Sequence, residues 1–177
     1  VLLALLKPGD MFGEMAMLED KPRSASAIAH EDAVILAVNR VNFKQMISTQ
    51  PQMITRLTQI LAERLWFIYK QLGNTQVSDP IGRMYDRLFI ELERQRIPVN
   101  TEAFTFDFGP KELVNLVGLP KDEGNAHMRK LFENSKFRII DNKIHVSEVS
   151  EIDKQAKYYR KMEKIEKSRR QSSMRNL

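Results

Sequence analysis

Cysteine is absent from the 177 residues, which excludes a disulfide framework and a cysteine-bound iron–sulfur cluster. A chain without thiols suits a cytoplasmic setting, and that location is expected. No apolar run reaches the roughly 18–20 residues that span a bilayer, so no membrane partner is expected either. The opening stretch Val1–Leu6 has no basic leader and no cleavage site, and reads as a strand rather than a signal peptide. Catalytic patterns are missing as well. His30, His127 and His145 stand far apart, and none belongs to a metal or nucleophile motif. There is neither a Walker-type loop nor a G-x-S-x-G elbow. The sequence therefore points away from an enzyme and from a bound metal.

What is present is ordinary in amount and uneven in placement. Hydrophobic residues make up 42% and charged residues 29%, as in folded domains generally, and the length allows one large or two small domains. Residues 151–177 hold nine Lys/Arg against four Asp/Glu, whereas the other 150 residues hold nineteen of each sign. The whole excess of +5 thus lies in the C-terminal segment, and the folded body is neutral.

Along the chain, Lys7-Pro8-Gly9-Asp10 is a turn signal. Ser26–Ala29 and Ala33–Val38, apolar and separated by His30-Glu31-Asp32, read as a β-hairpin. Asn39–Thr49 reads as a short helix that stops before Pro51. From Gln52 to about Gln76, apolar residues recur at Ile54, Leu57, Leu61, Leu65, Ile68 and Leu72. Spacings of three and four put them on one stripe of a long helix. That stripe suits either packing within the chain or a parallel dimer seam through Leu61, Leu65, Ile68 and Leu72. Asn74–Asp79 is a polar hinge, and Pro80 suits the start of a helix over Ile81–Gln95. Thr101–Phe108 alternates as a strand would. Lys111–Val117 and Lys121–Glu133 read as short helices flanking the turn Gly118-Leu119-Pro120. Arg138–Ile140 and Lys143–Val146 flank Asp141-Asn142 as a hairpin, and Glu148–Arg170 reads as a basic helix.

Residues 12–27, Phe-Gly-Glu-Met-Ala-Met-Leu-Glu-Asp-Lys-Pro-Arg-Ser-Ala-Ser-Ala, carry the most chemistry. Gly13 lets backbone approach a ligand closely, and the amides of Glu14-Met15-Ala16 can point at an anion. Glu14 can accept a hydrogen bond from a hydroxyl. Arg23 offers a planar cationic fork for a phosphodiester, with the Ser24 hydroxyl beside it. This segment resembles the phosphate-binding cassette of cyclic-nucleotide-binding domains in CRP/FNR-type transcription regulators. The resemblance implies a cyclic nucleotide held by Gly13, Glu14, Met15, Ala16, Arg23 and Ser24, cyclic AMP being favoured over cyclic GMP. It also implies that the long helix is a dimer interface that reaches the nucleotide. Aligning on Leu72-Gly73 brings Ile68 and Tyr69 to positions where relatives hydrogen-bond the base, and only Tyr69 can do so.

The order helix, strand, helix, turn, helix, hairpin after a long helix is similar to the winged helix-turn-helix half of the same family. The resemblance extends over roughly residues 1–147, and Lys-Glu-Leu-Val-Asn-Leu-Val-Gly (111–118) matches the first helix and its turn glycine. It implies DNA contacts from Lys111, Lys121, Asn125 and Arg129, the next helix entering the major groove. Here that helix departs from the family pattern: Gly124 replaces a buried valine and Ala126 a second arginine. The adjacent acids Asp122 and Glu123 repel phosphates, and a mid-helix glycine costs about 1 kcal/mol relative to alanine.

The expected fold is α+β. Residues 1–50 form the C-terminal part of a nucleotide-binding β-roll that starts in mid-domain, as if N-terminally truncated. Residues 51–78 form the dimerisation helix and hinge, 79–147 the winged helix-turn-helix, and 148–177 the basic helix, either solvent-exposed or a source of phosphate contacts. The expected function is a dimeric, cyclic-nucleotide-responsive regulator of transcription. The alternative is a protein-interaction module whose degenerate winged helix does not read DNA.

Overall fold

The structure is a computed structural model that describes residues 6–19 and 21–175, including side chains for all of these but 171 and 173–175. Seven helices and three short strands are formed among them. The described residues separate into two compact units, one up to residue 63 and the other from residue 64 on. The strand expected over Val1–Leu6 lies, except for Leu6, outside the described residues.

In the first unit, α1 covers Glu14–Glu19 and α2 covers Arg40–Thr49. Asn39 starts α2 by accepting the Asn42 amide at 2.8 Å, which supplies one of the donors a helix start leaves open. Pro51 stops α2 and opens α3, Pro51–Thr75, which continues into the second unit. Buried Phe43 and Leu57 anchor α2 and α3. The β-roll expected for residues 1–50 is not formed among the described residues, and the Ser26–Val38 hairpin with it. Ile28, Val34, Ile35 and Leu36 are exposed there instead. An isolated two-stranded hairpin is marginal, and among the described residues no further strand stands beside this segment to take up its backbone groups and cover its apolar face.

The second unit is built on α4, Pro80–Arg94. Asp79 caps it by accepting the Gly82 amide at 2.8 Å, and Pro80 sits in the first turn, where its missing N–H costs nothing. One face of α4 buries Met84, Leu88 and Leu92. Against α4 pack α5, Pro110–Leu116, α6, Lys121–Glu133, and α7, Val149–Arg175. The small antiparallel sheet has the order β1-β3-β2, with β1 Phe104–Thr105, β2 Phe137–Ile140 and β3 Lys143–Val146. Its register sets Phe104 and Phe137 either side of Val146, and Ile139 opposite Ile144. Asp141 and Asn142 take φ of 49° and 59°, the two left-handed residues that a tight hairpin turn requires. The strand expected over Thr101–Phe108 shrinks to two residues, although the Phe106 amide still donates to the Ile144 carbonyl at 2.9 Å. Phe106 and Phe108 turn into the core, with ring centres 5.3 Å apart.

The basic helix is not a free-standing tail. Val149, Ile152 and Ala156 of α7 are completely buried, and Tyr159 stacks on Tyr85 of α4 at 6.2 Å. Burial raises the pKa of both phenols above the ordinary value. At the other side of α4, the buried Arg87 guanidinium lies 4.9 Å from the Phe67 ring of α3, and burial lowers its pKa. Lys70 of α3 pairs with Glu93 of α4 at 3.0 Å and stands 5.0 Å over Trp66. Among the described residues no helix is long and apolar enough to cross a membrane.

Candidate functional site

The candidate ligand residues other than Tyr69 lie in the first unit. Gly13 has φ of 81°, a backbone state that side chains rarely tolerate. A Cβ there would stand 2.7 Å from Nη1 of Arg23, so the absence of a side chain is what lets the guanidinium lie against the backbone. The same guanidinium stands 5.6 Å over the Phe12 ring, within cation–π range. Next to it is an open hollow of ≈ 590 Å³ lined by Phe12, Arg23, Ser24, Ala25, Ser26, Ala27 and Ile35. Cation, hydroxyl and apolar wall thus meet at one place. A small anion carrying an apolar ring fits that chemistry, and the Gly13 cradle is the feature of this chain that a larger residue would fill.

The remaining expected ligand residues are distributed differently. Glu14, Met15 and Ala16 form the first turn of α1 rather than a free turn, so their amides lie where a helix has no internal acceptor. Arg40 of α2 donates to the Ala16 carbonyl at 3.2 Å and ties α1 to α2. Glu14 is only 1% exposed and does not line the hollow, while Met15 is exposed. Tyr69 is exposed on the part of α3 that belongs to the second unit.

The second candidate surface is on α5 and α6. Lys121, Asn125 and Arg129 are four residues apart on α6 and all exposed, so they form one row on one face. Lys111, in the first turn of α5, is exposed too. The departures in this motif have a packing reason. Gly124 is buried against α5, and a Cβ there would stand 2.3 Å from Cγ1 of Val114. The glycine is the price of a close helix crossing. Pro120 gives α6 no side-chain cap, and Asp122 and Glu123 stand in its first turn, where negative charge offsets the exposed amides. His127 lies 3.9 Å from Glu123, and Nδ1 of His145 meets the Thr105 hydroxyl at 2.9 Å. No cluster of three or more metal-ligating side chains occurs among the described residues.

Sequence reasoning missed one constellation entirely. Asn74 at the end of α3, Asp86 of α4 and Arg160 of α7 form a linked polar group, with Asn74 and Asp86 buried. No short motif announces contacts between residues so far apart in the chain.

Comparison with known proteins sets the first unit in the class of cyclic nucleotide-binding domains: the family model of that description matches residues 1–50. The chain is 30% identical over 148 residues to the cyclic AMP receptor protein of Thermus thermophilus, an overlap of 84% of this chain and 66% of that protein. It is 23% identical over 158 residues to the CRP-like cAMP-activated global transcriptional regulator of Mycobacterium tuberculosis, covering 88% of this chain and 70% of the relative. Against the cAMP-activated global transcriptional regulator CRP of Salmonella typhimurium, identity is 24% over 123 residues, covering 69% of this chain and 59% of the relative. The chain therefore spans about two thirds of the length of the relatives it matches. It belongs to the CRP/FNR family of transcription regulators.

Proposed function

We propose that this chain is a DNA-binding transcription regulator whose effector is a cyclic nucleotide and whose working form is a homodimer. The observation that carries the reading is Arg23 lying against Gly13 inside the residues matched to a cyclic nucleotide-binding domain. Arg23 binds the cyclic phosphodiester as a charge-assisted fork, and the Ser24 hydroxyl adds a donor. The backbone of Gly13–Ala16 approaches the phosphate and Tyr69 meets the base; Glu14, buried and outside the hollow in the free chain, accepts from the ribose hydroxyl only after its side chain turns outward. Cyclic AMP is preferred to cyclic GMP; the effectors named for the relatives support that choice. Residues 1–50 are then the nucleotide unit, 51–78 the dimer helix and hinge, 79–147 a winged helix-turn-helix, and 148–177 an added helix. The β2–β3 hairpin is the wing, and α6 is the helix that enters the major groove, with Lys121, Asn125 and Arg129 towards base edges and Lys111 on phosphate. Ligand binding changes DNA affinity to the extent that it favours one arrangement of the dimer over another.

Calorimetric titration of cyclic AMP and cyclic GMP into the full chain tests the ligand half. Saturable binding is expected, tighter for cyclic AMP. Loss of a charged hydrogen-bonding group should weaken it at least about tenfold in Arg23→Ala. Heat from neither nucleotide overturns this half. Electrophoretic shift of duplex DNA across a salt series tests the other half. Binding that weakens steeply with salt is expected; no binding even at low salt would leave the second unit as a protein-interaction module, a role that Asp122 and Glu123 would suit.

A further inference from the structure

The short segment between α3 and α4 is a candidate hinge, yet it is not free. The Gln76 and Val77 amides close a tight turn on the Gly73 and Asn74 carbonyls, both at 3.1 Å. The Ser78 amide then donates to Oε2 of Glu163 at 2.8 Å, and its hydroxyl donates to Oε1 at 3.1 Å. Lys167, one turn further along α7, reaches the Gln76 carbonyl at 3.5 Å and pairs with Glu163 at 3.6 Å. One turn earlier, Arg160 bonds to Asp86, whose other oxygen accepts from Asn74 at 2.9 Å. Asn74 donates to the Arg83 carbonyl at 2.8 Å with the same amide group. Three successive turns of α7 thus hold the end of α3, the linker and the start of α4 together. Partners 85 and 91 residues apart are joined there, so the grip is tertiary and does not follow from local preference.

We infer that α7 is a strap across the hinge between α3 and α4, with Glu163 as the positioning residue that sets the angle of the α4–β3 body on α3. The contact itself stands on the distances above; its consequence rests on the regulator reading. A ligand bound to one part of a protein changes the affinity of another only through elements with defined alternative arrangements. A hinge held by α7 transmits a change in α3 to the α4–β3 body. A loose one lets that body sample its orientations whether or not ligand is bound, and the two affinities converge. The half-buried Glu163 carboxylate is suited to the role, because its two oxygens take both donors of a single serine and its removal opens no cavity in the core.

The test uses the full chain, with Glu163→Ala and Glu163→Gln beside it, native-state hydrogen exchange over 76–79, and DNA affinity with and without cyclic AMP. In Glu163→Ala, exchange at the Ser78 amide should speed up about tenfold, the equivalent of one charge-assisted hydrogen bond. Protection in the α4 core should stay unchanged. The ratio of DNA affinities with and without nucleotide should fall at least about fivefold, the lower end of usual allosteric couplings. Glu163→Gln keeps an oxygen to accept the Ser78 amide and should restore most of both effects, which a general loss of stability would not. Unchanged exchange at Ser78 in Glu163→Ala overturns the strap, and so does lost protection with an unchanged affinity ratio. A wild-type chain whose DNA affinity ignores cyclic AMP overturns the regulator reading instead, and the exchange experiment then decides the strap alone.

Discussion

Gly124 shows how a single position can be misjudged from helix preference alone. In the middle of an exposed helix, replacing glycine by alanine gains about 1 kcal/mol. Here the added methyl would stand 2.3 Å from Cγ1 and 2.9 Å from Cγ2 of Val114, itself buried in α5. Neither group is the end of a flexible side chain, so α5 and α6 must move apart, and overpacking of this kind costs about 1–3 kcal/mol. The packing term outweighs the propensity term. Gly124→Ala should therefore lower the melting temperature by several degrees, at roughly 2–4 °C per kcal/mol for a chain of this size. Adding Val114→Ala should recover part of the loss, giving a double mutant more stable than the two single effects sum to. Thermal unfolding of the three variants checks this. A stabilised Gly124→Ala would mean that the crossing is looser than the distances say. The same logic explains Asp122 and Glu123: on α6 they serve an uncapped helix start, whatever that helix contacts.

Among the elements, α7 makes the clearest case for a pH response. The Ser78 amide donating to Glu163 holds that carboxyl below the ordinary carboxylate range, against the opposing effect of burial, with the Ser78 hydroxyl and Lys167 adding to the lowering. A carboxyl whose folded value is depressed contributes stability above its unfolded value, about 4.3 for glutamate. That contribution is lost as the pH falls through the folded value. Acidification from about pH 6 to below pH 4 should therefore release residues 76–79 before the core of α4 opens. Exchange at Ser78, corrected for the intrinsic pH dependence of the amide, measures the release, and Glu163→Ala should flatten the curve. A wild-type curve already flat would show that the carboxylate carries no such linkage. The elements also show what local sequence can and cannot say. The bounds of α6, the stop of α2 before Pro51, the proline start of α4, and the Asp141-Asn142 turn were legible, because caps, prolines and left-handed turn residues act within a few positions. The hairpin at Ser26–Val38 was not, since a strand forms only with a neighbour, and the sequence pattern does not say whether one is beside it. The grip of α7 on the hinge was illegible too: Glu163, Arg160 and Lys167 look like any charged residues of a solvated helix until the chain brings Ser78, Asp86 and Gln76 to them.

For the whole molecule, the decisive surface is the outer stripe of α3. Leu65, Ile68 and Leu72 are 53%, 58% and 57% exposed, and Leu61 is half-buried above them. Such large side chains in a continuous row, four, three and four residues apart, leave water along the whole stripe of a single chain. Covering the exposed half of each gains about 1 kcal/mol. A second copy of α3 laid against the first covers all four at once, because the spacing matches the seam of a parallel helix pair. Tyr69, also exposed, stands beside this row on the same helix. A dimer so formed brings two Tyr69 side chains close to the seam, which is how a base contact from α3 would connect ligand binding with the pairing of two chains. Leu65→Asp together with Ile68→Asp puts two buried charges into that seam, and no partner stands opposite either of them. The double variant should sediment at half the mass of the wild type and keep the helical signal of α4–α7, whose packing it does not touch. It should also lose nucleotide-dependent DNA binding, since one half-site contact cannot replace two. A variant that remains dimeric would move the interface off α3. A wild type that is already monomeric at micromolar concentration would leave the stripe without a partner in solution and make nucleotide or DNA the agent that brings two chains together.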